Sequence, residues 1–269
     1  MKLDAAALAA LMLVLGCRTA APQTPAPAAR APQAPRHPRP VSQPGRVVRP
    51  IAAEDAPLAP PPRSLRWVQR SAEYRALFLQ TYRAATEHVE RAAEQRAAGT
   101  WGIVTDADET ALSNVQYEVE LMRTGEETAS TDPRFDEWVA RRAATPLPGA
   151  AEFLRRVRAL GGRIAIITNR PPAACPATED VLKKWALPYD VLLCGSGDKN
   201  PRFESVRSGA AFGGGGPVEV VAYLGDNIRD FPQAGQELRK KDDAAFAEFG
   251  GRFFAFPNPL YGSWLGNPD

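Results

Sequence analysis

The chain has 269 residues, 44% hydrophobic and 24% charged, enough for one large domain or two small ones. Its formal net charge of +2 is unevenly spread: seven arginines against Glu54 and Asp55 give residues 18–63 a net +5, and with Lys2 and Asp4 cancelling, residues 64–269 net −3. A mildly acidic body argues against a groove for a nucleic-acid polymer built on net charge.

The first seventeen residues read as a secretory signal: Lys2, then an apolar run from Ala5 to Leu15 that is too short to span a bilayer. The run ends in "VLGC", which resembles the lipobox of bacterial lipoproteins, with Cys17 as the cysteine that is diacylated. Val14 and Leu15 stand where consensus lipoboxes carry a leucine and a smaller residue, and the other reading is an ordinary signal cut near Ala20–Ala21. Residues 18–63 hold thirteen of the 26 prolines and almost no large hydrophobes. Such a stretch buries too little apolar surface to offset its ordering entropy, so it is expected to be a disordered tether. The expected organisation is therefore residues 1–17 signal and lipobox, 18–63 tether, and 64–269 folded domain. The protein would be exported and lipid-anchored to a bacterial cell envelope, the outer membrane above all.

From Ser71 to about Ala98, the apolar residues Tyr74, Leu77, Phe78, Tyr82, Ala85 and Val89 recur at helical steps, with Ser71 as N-cap. "WGIVTD" reads as a buried strand, and residues 115–147 as mostly helical with a break near "STDP". "GAAEFLRRVRAL" is an amphipathic helix closed by Gly161 and Gly162, "RIAIITN" a strand, "ATEDVLKKWAL" a helix and "YDVLLC" a strand. "VEVVAYLGDN" follows as a strand, "FPQAGQELRKK" as a helix and "GRFFAFPN" as a last strand. This alternation predicts an α/β, Rossmann-like parallel sheet covered by helices. In such sheets the chemistry lies beyond the carboxyl ends of the strands.

Polar residues gather at those ends. The first strand ends in Asp106 and Asp108, the second in Thr168 and Asn169, the third precedes Lys199 and Arg202, and the fourth ends in Asp226 and Asn227 with Asp230 one turn on. Taken singly, the Asp-x-Asp could be a helix N-terminus, Thr168-Asn169 a cap turn and Lys199 a surface cation; four strand ends in order argue for one crevice. Hard carboxylates there suit Mg²⁺. Asp106 could then attack phosphorus, while Asp108, touching the metal only through its backbone carbonyl, keeps its carboxyl for proton transfer. Thr168 and Lys199 would bind the phosphoryl oxygens.

"WVQRSAEYRAL", "DADETALSN", "PGAAEFL", "IITNR", "LGDNIRDF" and "PNPLYGSW" together resemble the class C nonspecific acid phosphatases, a bacterial lipoprotein branch of the haloacid-dehalogenase superfamily, over roughly Trp67 to Trp264. The resemblance implies a Mg²⁺-dependent phosphomonoesterase, with 5′-nucleotides among its candidate small substrates. It implies Asp106 as nucleophile, Asp108 as acid/base, and Thr168, Asn169 and Lys199 as phosphate binders. It implies a metal shell from Asp106, Asp108, Asp226 and Asp230, and a small helical cap over about 111–145. Two positions depart from the pattern. Gly197 and Asp198 replace two serines, with weaker anion affinity expected, and Leu265 replaces a glutamate.

A histidine-dependent phosphatase fails, because His37 lies in the tether and His88 reads as an ordinary helix-surface residue. The rival from another class is a lipid-anchored binding protein that kept the fold and lost turnover; the intact polar set argues against it. Cys175 and Cys194 leave a disulfide and two buried thiols equally open. Tyr261 and Trp264 read as stacking surfaces for a substrate ring or as C-terminal core, the latter favoured for Trp264. The physiological substrate and the oligomeric state are not legible.

Overall fold

The structure, a computed structural model, describes residues 60–124 and 133–268. The signal, Cys17, nearly all of the tether and most of the "STDP" break lie outside the described residues. In chain order the elements are α1 (Arg63–Arg70), α2 (Ala72–Ala93), β1 (Trp101–Thr105), β2 (Leu112–Ser113), α3 (Val115–Thr124), α4 (Pro133–Ala140), β3 (Thr145–Pro146) and α5 (Ala150–Ala159). They continue with β4 (Arg163–Thr168), α6 (Cys175–Lys184), β5 (Val191–Cys194), α7 (Asn200–Arg207), β6 (Glu219–Gly225) and β7 (Phe253–Ala255).

Five strands form one sheet in the order β5-β4-β1-β6-β7, every neighbouring pair parallel. The expected α/β sheet is what the chain builds. Side chains alternate across a strand, and each strand here feeds two cores. Ile103, Ile164 and Ile166 face Phe78, Tyr82 and Val89 of α2, Phe153 and Val157 of α5, and Val181 of α6. Val104, Ala165 and Ile167 face Phe203 and Val206 of α7, with Phe231 beside them. Strands buried on both faces read as near-continuous apolar runs, which is why "WGIVT" and "RIAIIT" were conspicuous.

Several expectations are met closely. Ser71 caps α2, its Oγ accepting the Tyr74 N–H at 3.0 Å. Others need correction. "FPQAGQELRKK" is not an α-helix: Pro232 removes a donor, Gln233 sits at φ +57, and only a short 3₁₀ turn forms over Gln236–Lys240. His88 is half-buried, its Nε2 2.9 Å from the Val221 carbonyl. That carbonyl lies where the β1–β6 register skips a residue, between Gly102↔Val220 and Ile103↔Ala222, so His88 supplies a donor at an irregular step in the ladder.

The antiparallel β2–β3 ribbon, Leu112 opposite Pro146 and Ser113 opposite Thr145, closes the base of an insertion whose described parts are residues 112–124 and 133–146. Tyr117, Leu121, Trp138 and Val139 of α3 and α4 pack on Ala174 and Ala177 at the start of α6. The insertion thus rests on the same edge of the sheet as the aspartate pair.

Candidate active site

β1 is central, so the chain leaving it is flanked by the ends of β4 and β6. The Asp106 N–H donates to the Leu224 carbonyl at 2.9 Å, extending the ladder by one residue and fixing the carboxylate at the sheet's carboxyl edge. No helix begins here. The chain turns tightly instead, with Leu112 N–H donating to the Ala107 carbonyl at 2.7 Å and Glu109 in the left-handed region at φ +49. The helix N-terminus reading of Asp-x-Asp is therefore set aside.

The two aspartates face different partners. Asp106 accepts from Lys199 Nζ at 2.5 Å, and the same ammonium reaches Asp230 Oδ1 at 2.7 Å. Lys199 is only 4% exposed, so it is no surface cation. One carboxylate oxygen from each of Asp106, Asp226 and Asp230 lies within 4.8 Å of the others. These are hard oxygen donors in a confined space, a donor set that fits Mg²⁺. Burial, reinforced by Asp230 and Asp108 and opposed by Lys199, pushes the Asp106 carboxyl up to about 7. Burial, reinforced by Asp230, Asp106 and Glu109 and opposed by the Asn258 hydrogen bond, raises Asp226 well above the carboxylate range. Crowded carboxylates of this kind call for a cation to offset their repulsion.

The "GDN" loop holds its acids by backbone geometry. The Asn227 N–H donates to Asp230 Oδ2 at 2.9 Å while the Asn227 side chain accepts from Arg229 N–H at 3.1 Å, a reciprocal cap. A Cβ on Gly225 would stand 2.2 Å from the Asp230 side chain, so only glycine lets the loop close this tightly. Asn258 Nδ2 donates to Asp226 Oδ2 at 2.8 Å.

The Asp108 carboxyl lies outside the three-acid cluster. It accepts from Arg170 Nη2 at 2.7 Å and Nε at 3.1 Å, from Asn114 Nδ2 at 2.8 Å and from Thr168 Oγ1 at 3.1 Å. Burial acts to raise it, but the charge and hydrogen bonds of Arg170, with those of Asn114 and Thr168, outweigh burial and hold it below the usual range. Arg170 is buried, and its Nη1 is anchored on Thr178 Oγ1 at 3.0 Å. Asn169 accepts from Arg202 Nη2 at 2.7 Å through Oδ1. Asp198 accepts from the Asn200 N–H and stands exposed beside the lysine.

Asp106, Asp108, Thr168, Lys199, Asp226 and Asp230 are thus brought together, with Asn169 on the rim. Arg170, Asn114 and Asn258 belong to the same site and had no role assigned from sequence, although the quoted motifs "IITNR", "DADETALSN" and "PNPLYGSW" contain them. Cys175 and Cys194 are joined, their Cα atoms 5.9 Å apart, which decides between the two open readings. Trp264 is 41% exposed and so is not core, while the Tyr261 hydroxyl is buried.

A parallel sheet carrying an aspartate pair, a buried lysine and two further acids at its carboxyl edge is an architecture of haloacid-dehalogenase type. The profile of the HAD superfamily, subfamily IIIB (acid phosphatase), matches residues 47–264, and the chain belongs to that family: it is an acid phosphatase, a hydrolase. Among solved structures it is similar to the class C acid phosphatase from Bacillus anthracis, at 28% identity and a TM-score of 0.65, over 76% of this chain and 85% of that one. The same Bacillus anthracis enzyme with tungstate bound matches equally well, at 28% identity, a TM-score of 0.65 and the same 76% and 85% coverage.

Proposed function

We propose that this acid phosphatase hydrolyses small phosphomonoesters in a Mg²⁺-dependent reaction through an aspartyl-phosphate on Asp106. The observation that carries the reading is the meeting of Asp106, Asp226 and Asp230 at the sheet's carboxyl edge, with the buried Lys199 ammonium on Asp106 and Asp230. Asp106, Asp226 and Asp230 would hold the ion by carboxylate oxygens, with the Asp108 backbone carbonyl beside them. When bound, Mg²⁺ supplies charge neutralisation for the carboxylates and for the phosphoryl oxygens.

A carboxylate oxygen of Asp106 attacks phosphorus, the P–O bond to the alcohol breaks, and the proton on Asp108 goes to the leaving oxygen. Asp108, now ionised, takes a proton from water as the water attacks phosphorus, and the Asp106 carboxylate is released with inorganic phosphate. Lys199 donates to the phosphoryl oxygens, where a preorganised donor acts on developing charge, and the Thr168 hydroxyl, which rests on Asp108 Oδ2, would turn to join it. Arg170 favours the ionised form of Asp108, which suits the second half; the first half needs the proton that acidic solution supplies. The tungstate complex of the similar Bacillus anthracis enzyme, a tetrahedral oxyanion in a related fold, supports phosphoryl recognition. The test is phosphate release from aryl and nucleoside monophosphates by chelated, dialysed protein with and without added Mg²⁺. Full activity without metal would end the proposal.

We also propose that the enzyme is exported and held at the bacterial cell envelope through lipid on Cys17. The Cys175–Cys194 disulfide supports a compartment outside the reducing cytoplasm. Partition of the mature protein into detergent, lost in Cys17→Ser, is expected; an unmodified N-terminus near Ala21 would rule the anchor out.

A further inference from the structure

Asn114 stands at the junction between the insertion and the site. It is fully buried, and each half of its amide has an assigned task. Its Oδ1 accepts from Trp138 Nε1 at 2.9 Å and lies 3.4 Å from Arg170 Nη2, while its Nδ2 donates to Asp108 Oδ1 at 2.8 Å. Indole and guanidinium nitrogens only donate, so the amide oxygen must face them and the NH₂ must face the carboxylate. The amide is thereby fixed in one orientation. Trp138 itself is 2% exposed, and it belongs to α4 in the insertion. Phe135, on the same helix, lies under the Arg170 guanidinium with its ring centroid 5.8 Å away. Helix α4 therefore meets two of the three groups that grip Asp108, Thr168 being the third, while neither Trp138 nor Phe135 hydrogen-bonds the carboxylate itself.

We propose that Trp138, acting through Asn114, is a positioning residue for the Asp108 carboxyl, so that the seating of helix α4 governs how well the leaving group is protonated. The inference rests on the acid/base reading of Asp108. Removing the indole N–H leaves the Asn114 oxygen short of a buried donor, and its amide is then free to turn its oxygen toward Arg170 alone and to release the carboxylate. A general acid displaced by a fraction of an ångström loses most where the leaving group depends on it most. A nucleoside alkoxide departs with nearly a full charge, whereas a nitrophenolate leaves with little help.

The test uses the purified full chain with Mg²⁺ and follows single-turnover phosphoenzyme formation from p-nitrophenyl phosphate and from a nucleoside 5′-monophosphate. Trp138→Phe keeps an aromatic ring and removes the donor, and the smaller ring acts on both substrates alike, which the comparison between them cancels. It is expected to slow the nucleotide reaction by roughly fivefold or more beyond its effect on the aryl reaction, in keeping with the sensitivity of rate to small misplacements. In an Asp108→Asn background the same change should add nothing. Equal losses on the two substrates, or an undiminished effect in the Asp108→Asn background, would overturn the relay. Asp108→Asn alone separates the two ideas. Should it slow both substrates equally, the acid reading fails and the relay falls with it; should it be selective for the nucleotide while Trp138→Phe is not, the relay alone fails. If Trp138→Phe does not fold, Asn114→Leu, close in size and without either bond, carries the same comparison.

Discussion

Asn258, 32 residues beyond Asp226 in the chain, donates its side-chain N–H to the Asp226 carboxylate at 2.8 Å. Its own Oδ1 accepts from the Leu260 N–H at 3.0 Å, which fixes the amide and ties the C-terminal segment to the acidic cluster. Partners of this kind orient a ligating carboxylate and typically change metal affinity by about 10–100-fold when lost. Asn258→Ala should therefore need about 10–100-fold more Mg²⁺ for half-maximal activity. Calorimetric titration with Mg²⁺ provides a check independent of turnover, and unchanged affinity would count against Asp226 as a ligand.

Asp106→Asn should abolish phosphoenzyme formation, because an amide is neither an effective nucleophile nor an anionic ligand. Acid-quenched wild-type protein, after brief exposure to labelled substrate, should carry phosphate on Asp106. Label on a serine or threonine instead would refute the assignment.

Lys199 sits between Asp106 and Asp230, and all three are nearly sealed from solvent. Deleting one partner of a buried ionic cluster typically costs about 3–5 kcal/mol, because the remaining charges go uncompensated. Lys199→Met should lose stability of that order in chelator and recover part of it in Mg²⁺, whereas the wild type should gain less from the metal. Urea unfolding under both conditions measures the difference. Activity should fall in either case, since the phosphoryl group loses its ammonium donor.

The disulfide joins the first residue of α6 to the last of β5, a separation of 19 residues. Closing a loop of that size is worth about 3 kcal/mol by chain entropy. The Cys175→Ser/Cys194→Ser double variant should unfold at correspondingly lower denaturant. Because α6 carries Thr178, the anchor of Arg170, the variant should also lose activity at temperatures where it is still folded. Indistinguishable unfolding of the two proteins would show the bond to be dispensable.

The parts of this architecture that could be read in the sequence were those with a local signature. Ile103, Val104 and the run from Ile164 to Ile167 announce strands buried on two faces, and polar residues directly after them announce the edge that carries the candidate site. Lys199 could be singled out but its burial could not, since that goes with its ion pairs to Asp106 and Asp230, 93 and 31 residues away in the chain. Arg170, Asn114 and Asn258 escaped because an arginine or asparagine in a loop is ordinary until its partner is known, and their partners lie 62, 6 and 32 residues away. The segment from Phe231 to Lys241 misled in the opposite direction. Its polar and apolar residues suit a helix, but Pro232 and the positive φ of Gln233 forbid a continuous one.

Gly225 has a consequence for reading related genomes. With the Asp230 side chain 2.2 Å from where a methyl would sit, even alanine there must dislodge one of the acids that crowd around Lys199. A gene copy can keep every acidic residue of the site and still encode a damaged enzyme if this one codon has drifted. Position 225 therefore serves as a marker of decay that an inventory of catalytic side chains would overlook, and it separates working paralogues from relics by inspection.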